Sequence, residues 1–140
     1  MPVCVDASFL LKLVLDEARS DEVRSLWQSW VDAGLEIVAP SHLLFEATSV
    51  LRNHVHRELI SADAGDAAYR ALVAQEIQLI EPALICDRAW EFAAHFARPT
   101  AYDSFYLAVG ELAGCDFWTA DRRLYDSVHT ELAWVRLLAG

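Results

Sequence analysis

Four acidic residues of this chain lie within or beside apolar sequence, where a carboxylate is costly to bury. They are Asp6, Glu46, Asp103 and Asp121. Burial of an ionised carboxylate is expensive unless the group is paired with a positive charge or bound to a metal. The four residues stand on separate segments, without regular basic partners beside them. Such a set of oxygen ligands suggests a hard divalent cation, Mg²⁺ or Mn²⁺.

Each of these acids also has a purely structural interpretation. Asp6 and Asp121 stand where a helix is expected to begin, and an aspartate at that position caps free backbone N–H groups. Asp103 can interact favourably with the dipole at the start of its own helix. Glu46 falls at the edge of an apolar helix face, where it can be half solvated. Both interpretations, metal ligand and structural acid, are open at the level of the sequence.

Motifs for other enzymatic chemistries are absent from the sequence. It contains no Gly-x-Ser-x-Gly turn, no P-loop and no Gly-x-Gly-x-x-Gly fingerprint. The three cysteines are far apart and form no Cys-x-x-Cys pair, so a zinc knuckle or a redox motif is not expected. The spacing of His54 and His56 directs their rings to different sides of a helix. A phosphoryl-accepting aspartate is a rival interpretation of Asp6, although Ser8 stands where dehalogenase-type phosphotransferases need a second acid.

The hydrophobic pattern predicts alternating strands and helices along the whole chain. The predicted strands cover residues 2–5, 35–39, 77–80, 116–119 and 134–138. The predicted helices cover residues 9–15, 20–34, 41–57, 61–76, 85–96 and 100–113, and a short one follows Asp121. Ser41 is expected to cap the third helix, and Gly114 is expected to end the sixth. This alternation indicates an α/β fold with a mainly parallel sheet covered on both faces.

The predicted sheet also suggests where the four acids lie. Ligands of open parallel sheets bind beyond the carboxyl ends of the strands. Asp6 and Asp121 both stand where a predicted strand gives way to a helix, so both are expected at that rim. Glu46 and Asp103 lie early in two helices near the same edge. The sequence therefore favours one shared acidic site.

Length, charge and composition limit the class of protein. A chain of 140 residues is expected to form one domain over residues 1–140. The net charge of −10 argues against sequence-independent binding to a phosphate backbone, although bound divalent ions would reduce it. Every basic residue except Lys12 is an arginine, which binds phosphate bidentately. Five tryptophans indicate either a partner surface or ordinary core packing. No apolar run approaches membrane-spanning length, and a soluble cytoplasmic protein is expected.

With these residues in place, the chain resembles the PIN-domain nucleases, and within them the VapC-type toxins of bacterial toxin–antitoxin pairs. The similar stretches follow the family's order and spacing and cover almost the whole chain. They are Val5-Asp6-Ala7-Ser8 with Phe9-Leu10-Leu11-Lys12, Phe45-Glu46-Ala47-Thr48-Ser49-Val50-Leu51, Tyr102-Asp103-Ser104-Phe105-Tyr106-Leu107-Ala108, and Asp116-Phe117-Trp118-Thr119-Ala120-Asp121-Arg122-Arg123-Leu124. The main departure is the acidity of this chain, which concerns its RNA-binding surface.

The resemblance implies a three-layer α/β/α PIN-like fold, dependence on Mg²⁺ or Mn²⁺, and cleavage of RNA, usually of the tRNA or rRNA class. It also implies a homodimer and a small antitoxin protein that covers the site. The residues to which it assigns a role are Asp6 and Asp103 as main metal ligands, Glu46 and Asp121 as further members of the acidic cluster, and Ser8 and Thr119 as supports behind them.

The predicted function is that of a Mg²⁺-dependent endoribonuclease, the toxin of a type II toxin–antitoxin pair. A metal-activated water would hydrolyse the phosphodiester bond and leave a 5′-phosphate and a 3′-hydroxyl. This chemistry does not use the ribose 2′-hydroxyl, so the choice of RNA depends on the resemblance and on contacts elsewhere. The expected phosphate contacts are the arginines flanking the acid-bearing segments, Arg52, Arg98, Arg122 and Arg123. The alternative is a catalytically silent PIN-fold module that binds RNA or a protein.

Overall fold

A computed structural model describes residues 1–138 of the chain, and in this range strands and helices alternate as the hydrophobic pattern predicts. The strands are β1 (Pro2–Val5), β2 (Glu36–Pro40), β3 (Gln78–Ile80), β4 (Phe117–Thr119) and β5 (Val135–Leu137). The helices are α1 (Ala7–Val14), α2 (Ser20–Asp32), α3 (Leu43–His56), α4 (Ala62–Val73), α5 (Ile85–His95), α6 (Tyr102–Ala113) and α7 (Arg122–Val128).

The five strands form one parallel sheet in the order β3-β2-β1-β4-β5. The central strand β1 is apolar, and its residues Val3, Cys4 and Val5 are buried because it is paired on both edges and covered on both faces. Val5 at the end of β1 is in register with Trp118 near the end of β4. The predicted parallel sheet is confirmed, and the carboxyl ends of its strands lie along one rim.

Helices cover both faces of the sheet. Neighbouring residues of a strand point to opposite faces, so Phe117 and Trp118 of β4 mark the two sides. On one side Phe9 of α1 packs against Trp118, with ring centroids 6.2 Å apart. On the other side Tyr106 of α6 stacks almost parallel on Phe117 at 5.9 Å. The predicted three-layer α/β/α architecture is confirmed.

Half of the residues of helix α6 are buried, because it lies on the sheet and packs against α5. Its residue Gly110 leaves room for a bulky neighbour: a Cβ atom there would stand 2.7 Å from Cζ3 of Trp134. Gly114 follows the helix in the left-handed conformation, with φ of 66°, which glycine adopts without steric cost. The prediction that Gly114 ends this helix is therefore confirmed.

One predicted helix cap is wrong. The third helix begins at Leu43 without a side-chain cap. The hydroxyl of Ser41 instead donates a hydrogen bond to the carboxylate of Glu81, which follows β3. A carboxylate is a stronger acceptor than a neutral group, and Glu81 comes from a segment that local sequence does not place beside Ser41. By contrast, Ser61 caps α4, because its hydroxyl oxygen accepts a hydrogen bond from the amide of Ala64.

Ordinary packing explains four of the five tryptophans. Trp27, Trp30 and Trp118 surround Phe9 in one aromatic cluster. Trp134 fills the space left beside α6 by the absent side chain of Gly110. The exception is Trp90 of α5, which is 76% exposed. None of the helices in residues 1–138 is long and apolar enough to cross a membrane.

Candidate active site

Two turns meet at the carboxyl rim of the sheet, one after β1 and one after β4. The first carries Asp6 and Ser8, and the second carries Thr119 and Asp121. Because β1 and β4 are paired neighbours, the two turns lie side by side. The side chains therefore assemble at the rim at which ligands of parallel sheets bind.

Asp6 is the most buried of the four acids, at 5% exposure. One of its oxygens, Oδ1, accepts hydrogen bonds from the Ser8 hydroxyl at 2.6 Å and the Phe9 amide at 3.0 Å. The other, Oδ2, accepts from the Thr119 hydroxyl. Burial raises the pKa of Asp6 to about 6, the charge of Asp103 adds to the rise, and the hydrogen bonds partly offset it. Asp6 also caps α1, because its side chain accepts the hydrogen bond of the Phe9 amide. Its geometry is therefore consistent with the structural role and with a role in the site.

Ser8 and Thr119 fasten the two turns together around Asp6. Their hydroxyl oxygens lie 3.2 Å apart. Ser8 accepts a hydrogen bond from the amide of Ala120, and Thr119 accepts one from the amide of Asp121, each at 3.0 Å. Each hydroxyl has one proton, and both protons are directed at the Asp6 carboxylate. The two residues predicted as supports thus hold Asp6 in one orientation.

Glu46 reaches the same region from the first turn of α3. Its side chain is 36% exposed. Burial raises the pKa of Glu46 to about 7, and the charges of Asp6 and Asp103 add to the rise. Such an effect needs negative charges close by in a poorly solvated place. Glu46 therefore lies within electrostatic range of Asp6 and Asp103.

Asp103 has a basic partner that the sequence did not reveal. Its Oδ2 lies 3.0 Å from a terminal nitrogen of Arg98, and the two side chains are 38% and 23% exposed. The turn after α5 places Arg98: Ala97 has a positive φ of 51°, and the Arg98 amide bonds back to the carbonyl of Ala93 at 2.8 Å. Arg98, a predicted phosphate contact, is thus paired through its guanidinium with an acid of the site.

Asp121 stands at the rim but serves its helix. Its Oδ1 accepts hydrogen bonds from the amides of Arg123 at 3.0 Å and Leu124 at 3.2 Å, which caps α7. Its charge is not among those that raise the pKa of Asp6 or Glu46. The structure thus shows Asp121 as the cap of α7, and its membership of the acidic site stays a prediction.

The other three predicted phosphate contacts are exposed. Arg52 is on α3 and lines a depression between α3 and α4. Arg122 and Arg123 are in the first turn of α7, directly after Asp121. Their contact with RNA stays a prediction.

The donor set at the rim fits a hard divalent cation. Within residues 1–138, no three His, Cys, Asp or Glu side chains already form a group that could hold one ion. Asp6 instead accepts three hydrogen bonds, and Asp103 is paired with Arg98. The charge of Asp103 raises the pKa of Asp6, and the charges of Asp6 and Asp103 raise the pKa of Glu46, so a bound cation would offset this repulsion. Asp6, Glu46 and Asp103 are the residues that would hold it.

Two residues of this site were missed by the sequence reasoning. His42 lies with Nε2 3.7 Å from Oε2 of Glu46, and its ring centroid is 4.8 Å from that of Tyr106. The buried Nε2 of His42 and the buried hydroxyl of Tyr106 have no hydrogen-bond partner in the described part of the chain. Burial, then the charges of Glu46 and Asp6, raise the pKa of Tyr106. Their spacing in the sequence could have placed them beside the acids. His42 precedes Glu46 by four residues and Tyr106 follows Asp103 by three, which is about one helical turn in each case.

The burial of Asp6 weighs against the phosphoryl-acceptor interpretation. Both of its oxygens already accept hydrogen bonds, and only 5% of the residue is exposed. A phosphoryl group at Asp6 would break the contacts that join the two turns.

The fold and the site together define a class: α/β/α proteins with an acidic site at the carboxyl rim of a parallel sheet. The PIN domain family model matches residues 3–128, and the chain belongs to the PIN domain family. The resemblance seen in the sequence is thereby confirmed. No curated protein sequence matches the chain significantly.

Two solved structures share the fold at low sequence identity. One is VapC20 of Mycobacterium tuberculosis, described as a toxin that cleaves the sarcin–ricin loop. It is 21% identical, with a TM-score of 0.63 over 90% of this chain and 95% of that one. The other is PAE2754 of Pyrobaculum aerophilum, 20% identical, with a TM-score of 0.67 over 91% of this chain and 79% of that one. At these identities the likeness concerns the fold.

Proposed function

We propose that this chain is a Mg²⁺-dependent endoribonuclease, able to use Mn²⁺, that hydrolyses phosphodiester bonds. One observation carries the proposal: at the carboxyl rim of a PIN domain, Asp6 is a buried carboxylate whose pKa is raised by burial and then by the charge of Asp103. The pKa of Glu46 is likewise raised by burial and by the charges of Asp6 and Asp103, which supports a common site for the three acids.

The residues of this site have different proposed roles. Asp6, Glu46 and Asp103 provide the oxygen ligands, and Ser8 and Thr119 keep Asp6 oriented. A bound divalent ion would lower the pKa of a water molecule and stabilise the negative charge that develops on the phosphate. Asp121 was expected among the ligands. It supports the rim by capping α7, and it stays within the proposed acidic cluster as a neighbour of Thr119.

The biological setting belongs to the same proposal. The family and the shared fold with a VapC toxin support a toxin of a type II toxin–antitoxin pair, acting in the cytoplasm on RNA of the tRNA or rRNA class. A homodimer and a cognate antitoxin are the expected partners. The acidity of the chain implies that RNA is held by the metal ions and by local arginines rather than by the overall charge.

The direct test is cleavage of total RNA and of a labelled RNA strand by the purified protein. Mg²⁺ should support cleavage, EDTA should abolish it, and the products should carry 5′-phosphates. Asp6→Asn and Asp103→Ala should lose the activity while circular dichroism shows an unchanged fold. Full activity of Asp103→Ala, or undiminished cleavage in EDTA, would falsify the proposal. Asp63→Asn, a change of an exposed acid in α4, is the matched control.

A catalytically silent PIN-fold module is the second candidate, and one observation favours it. The ion pair of Arg98 with Asp103 already neutralises one proposed ligand. A Mn²⁺ titration followed by electron paramagnetic resonance distinguishes the two functions. A nuclease binds Mn²⁺ and loses that binding in Asp6→Asn, whereas a silent module binds RNA or a protein equally well with and without the ion.

A further inference from the structure

A shallow groove adjoins the acidic site on the side of Arg98. It lies between α5 and the segment that leads into α6, and it has a volume of about 280 Å³. We call it the Trp90 groove; its lining residues are Trp90, Ala93, Ala94, Arg98, Pro99, Thr100 and Ala101. Arg98 forms part of its wall and also pairs with Asp103. Arg98 therefore links the groove to Asp103, one of the proposed metal ligands.

Trp90 gives this groove a flat apolar side. The residue is 76% exposed, whereas the other four tryptophans pack in or against the core. An exposed indole next to a polar site is typical of a contact surface. Every nucleobase has a flat π face, so an indole can stack on an unpaired base of any sequence.

Arg98 gives the same groove a positive charge that the turn after α5 holds in place. Its guanidinium is 3.0 Å from Asp103 and 3.4 Å from the Ser127 hydroxyl. A cation on the carboxylates would take over the neutralisation of Asp103, and the guanidinium would then be available to another anion. Arginine binds phosphate through paired N–H donors. A phosphate held there would lie beside the acidic site.

We propose that the Trp90 groove binds an unpaired nucleotide of the substrate RNA next to the phosphate that is cleaved. The base stacks on Trp90, and its phosphate contacts Arg98; the inference rests on the proposed function. The charges favour RNA over a protein partner. The chain carries a net charge of −10, so a nucleic acid is attracted only where a local cation stands, and the charged group of this groove is a cation.

The test measures binding without cleavage. Anisotropy of a labelled ten-nucleotide RNA strand is followed in Ca²⁺, with gels to verify that the RNA stays intact. Trp90→Ala should weaken binding of the single strand about ten-fold, and Trp90→Phe should restore most of the loss. Binding to a blunt RNA duplex should not change in Trp90→Ala, because the base faces of a duplex are covered. Arg98→Gln should weaken binding to the strand and reduce its salt dependence.

Matched controls separate the groove from general effects. Val31→Ala trims an exposed apolar side chain of α2, and Arg19→Gln removes an exposed arginine just before α2; neither should alter RNA affinity. Unchanged strand affinity in Trp90→Ala, or an equal loss for strand and duplex, would overturn the proposal. So would a change in oligomeric state without a change in RNA affinity, which would assign Trp90 to an interface between copies. A chain that binds the strand through Trp90 yet never cleaves it would contradict the nuclease function alone.

Discussion

Thr119 and Asp6 are 113 positions apart in the chain, and the Thr119 hydroxyl donates a hydrogen bond to Oδ2 of Asp6. The same hydroxyl oxygen accepts from the Asp121 amide at 3.0 Å. One side chain thus joins the end of β4 to the turn after β1 and orients the most buried acid. Removal of that donor should disturb both stability and the electrostatics of the site.

We expect Thr119→Val to test this link without changing side-chain volume. At pH 8 the ionised Asp6 loses a charge-assisted hydrogen bond, which should lower the free energy of unfolding by about 1–3 kcal/mol. The loss should be smaller at pH 5, where Asp6 is protonated and the bond no longer serves a charge. Urea unfolding at the two pH values measures the difference. Thr130→Val, a change in an exposed turn, is the control and should show no dependence on pH. Equal losses at both pH values would contradict the assignment.

The raised pKa of Asp6 should make the ion-free protein less stable as the pH rises. The pKa of Asp6 is about 6 in the folded protein and about 3.9 in an unfolded chain. Between these values the folded state holds the proton that the unfolded state has released, so stability falls with rising pH and then levels off above pH 6. A difference of about 2 units corresponds to about 3 kcal/mol. Glu46 contributes a smaller effect of the same sign up to about pH 7, because its exposed third is screened by solvent.

Asp6→Asn checks this expectation. The amide keeps an oxygen for the Phe9 N–H and can direct its NH₂ group to the Thr119 hydroxyl, which turns to accept. In EDTA the variant should be more stable than the parent protein at pH 8 and lose most of the pH dependence between pH 4 and 6. Chemical unfolding across this range is the measurement. A stability that rises with pH in the parent protein would show that the pKa of Asp6 is lowered rather than raised.

Local sequence was sufficient for the fold and for the turns that carry Asp6 and Asp121. A buried apolar run followed by an acid and an amphipathic helix defines each of these junctions, and parallel strands then place both at one rim. Local sequence was not sufficient to place Glu46, because only tertiary packing brings its helix α3 to the rim. Its place in the site came from the family resemblance, and its raised pKa is the structural support for it.

The hydrophobic pattern of the sequence did not predict the ion pair of Arg98 with Asp103. Arg98 and Asp103 are five positions apart, and Arg98 is placed by Ala97, an alanine and not a glycine, which adopts a positive φ just before it. Propensity gives no reason to expect that conformation at an alanine. The failed cap at Ser41 has a different origin, since its partner Glu81 lies 40 positions away and is brought to it by tertiary packing.

Divalent ions should stabilise the protein in a pH-dependent manner. Mg²⁺ or Mn²⁺ binds the ionised carboxylates of Asp6, Glu46 and Asp103, so the ion competes with protons for them. At a concentration one hundred times the dissociation constant, the gain at pH 8 should be about 2.7 kcal/mol. It should fall steeply near pH 5. Thermal unfolding with added Mn²⁺ or with EDTA provides the measurement, and Asp103→Asn should lose most of the gain. The control Asp63→Asn should keep it, and a gain of equal size at both pH values would exclude carboxylate binding.

Arg98→Gln should strengthen the binding of Mn²⁺ even as it weakens the binding of RNA. In the ion-free protein the guanidinium occupies Oδ2 of Asp103 at 3.0 Å, so an incoming ion must displace it or tolerate its positive charge. Two unit charges about 4 Å apart interact by about 1–4 kcal/mol near a protein surface, and solvent screening at these half-exposed side chains favours the lower end. We therefore expect Mn²⁺ affinity to rise about five-fold, measured by electron paramagnetic resonance at pH 8. Arg19→Gln removes the same charge from a distant exposed pair and should leave Mn²⁺ affinity unchanged. If Arg98→Gln instead loosened Mn²⁺, the guanidinium would be orienting Asp103 for the ion rather than competing with it.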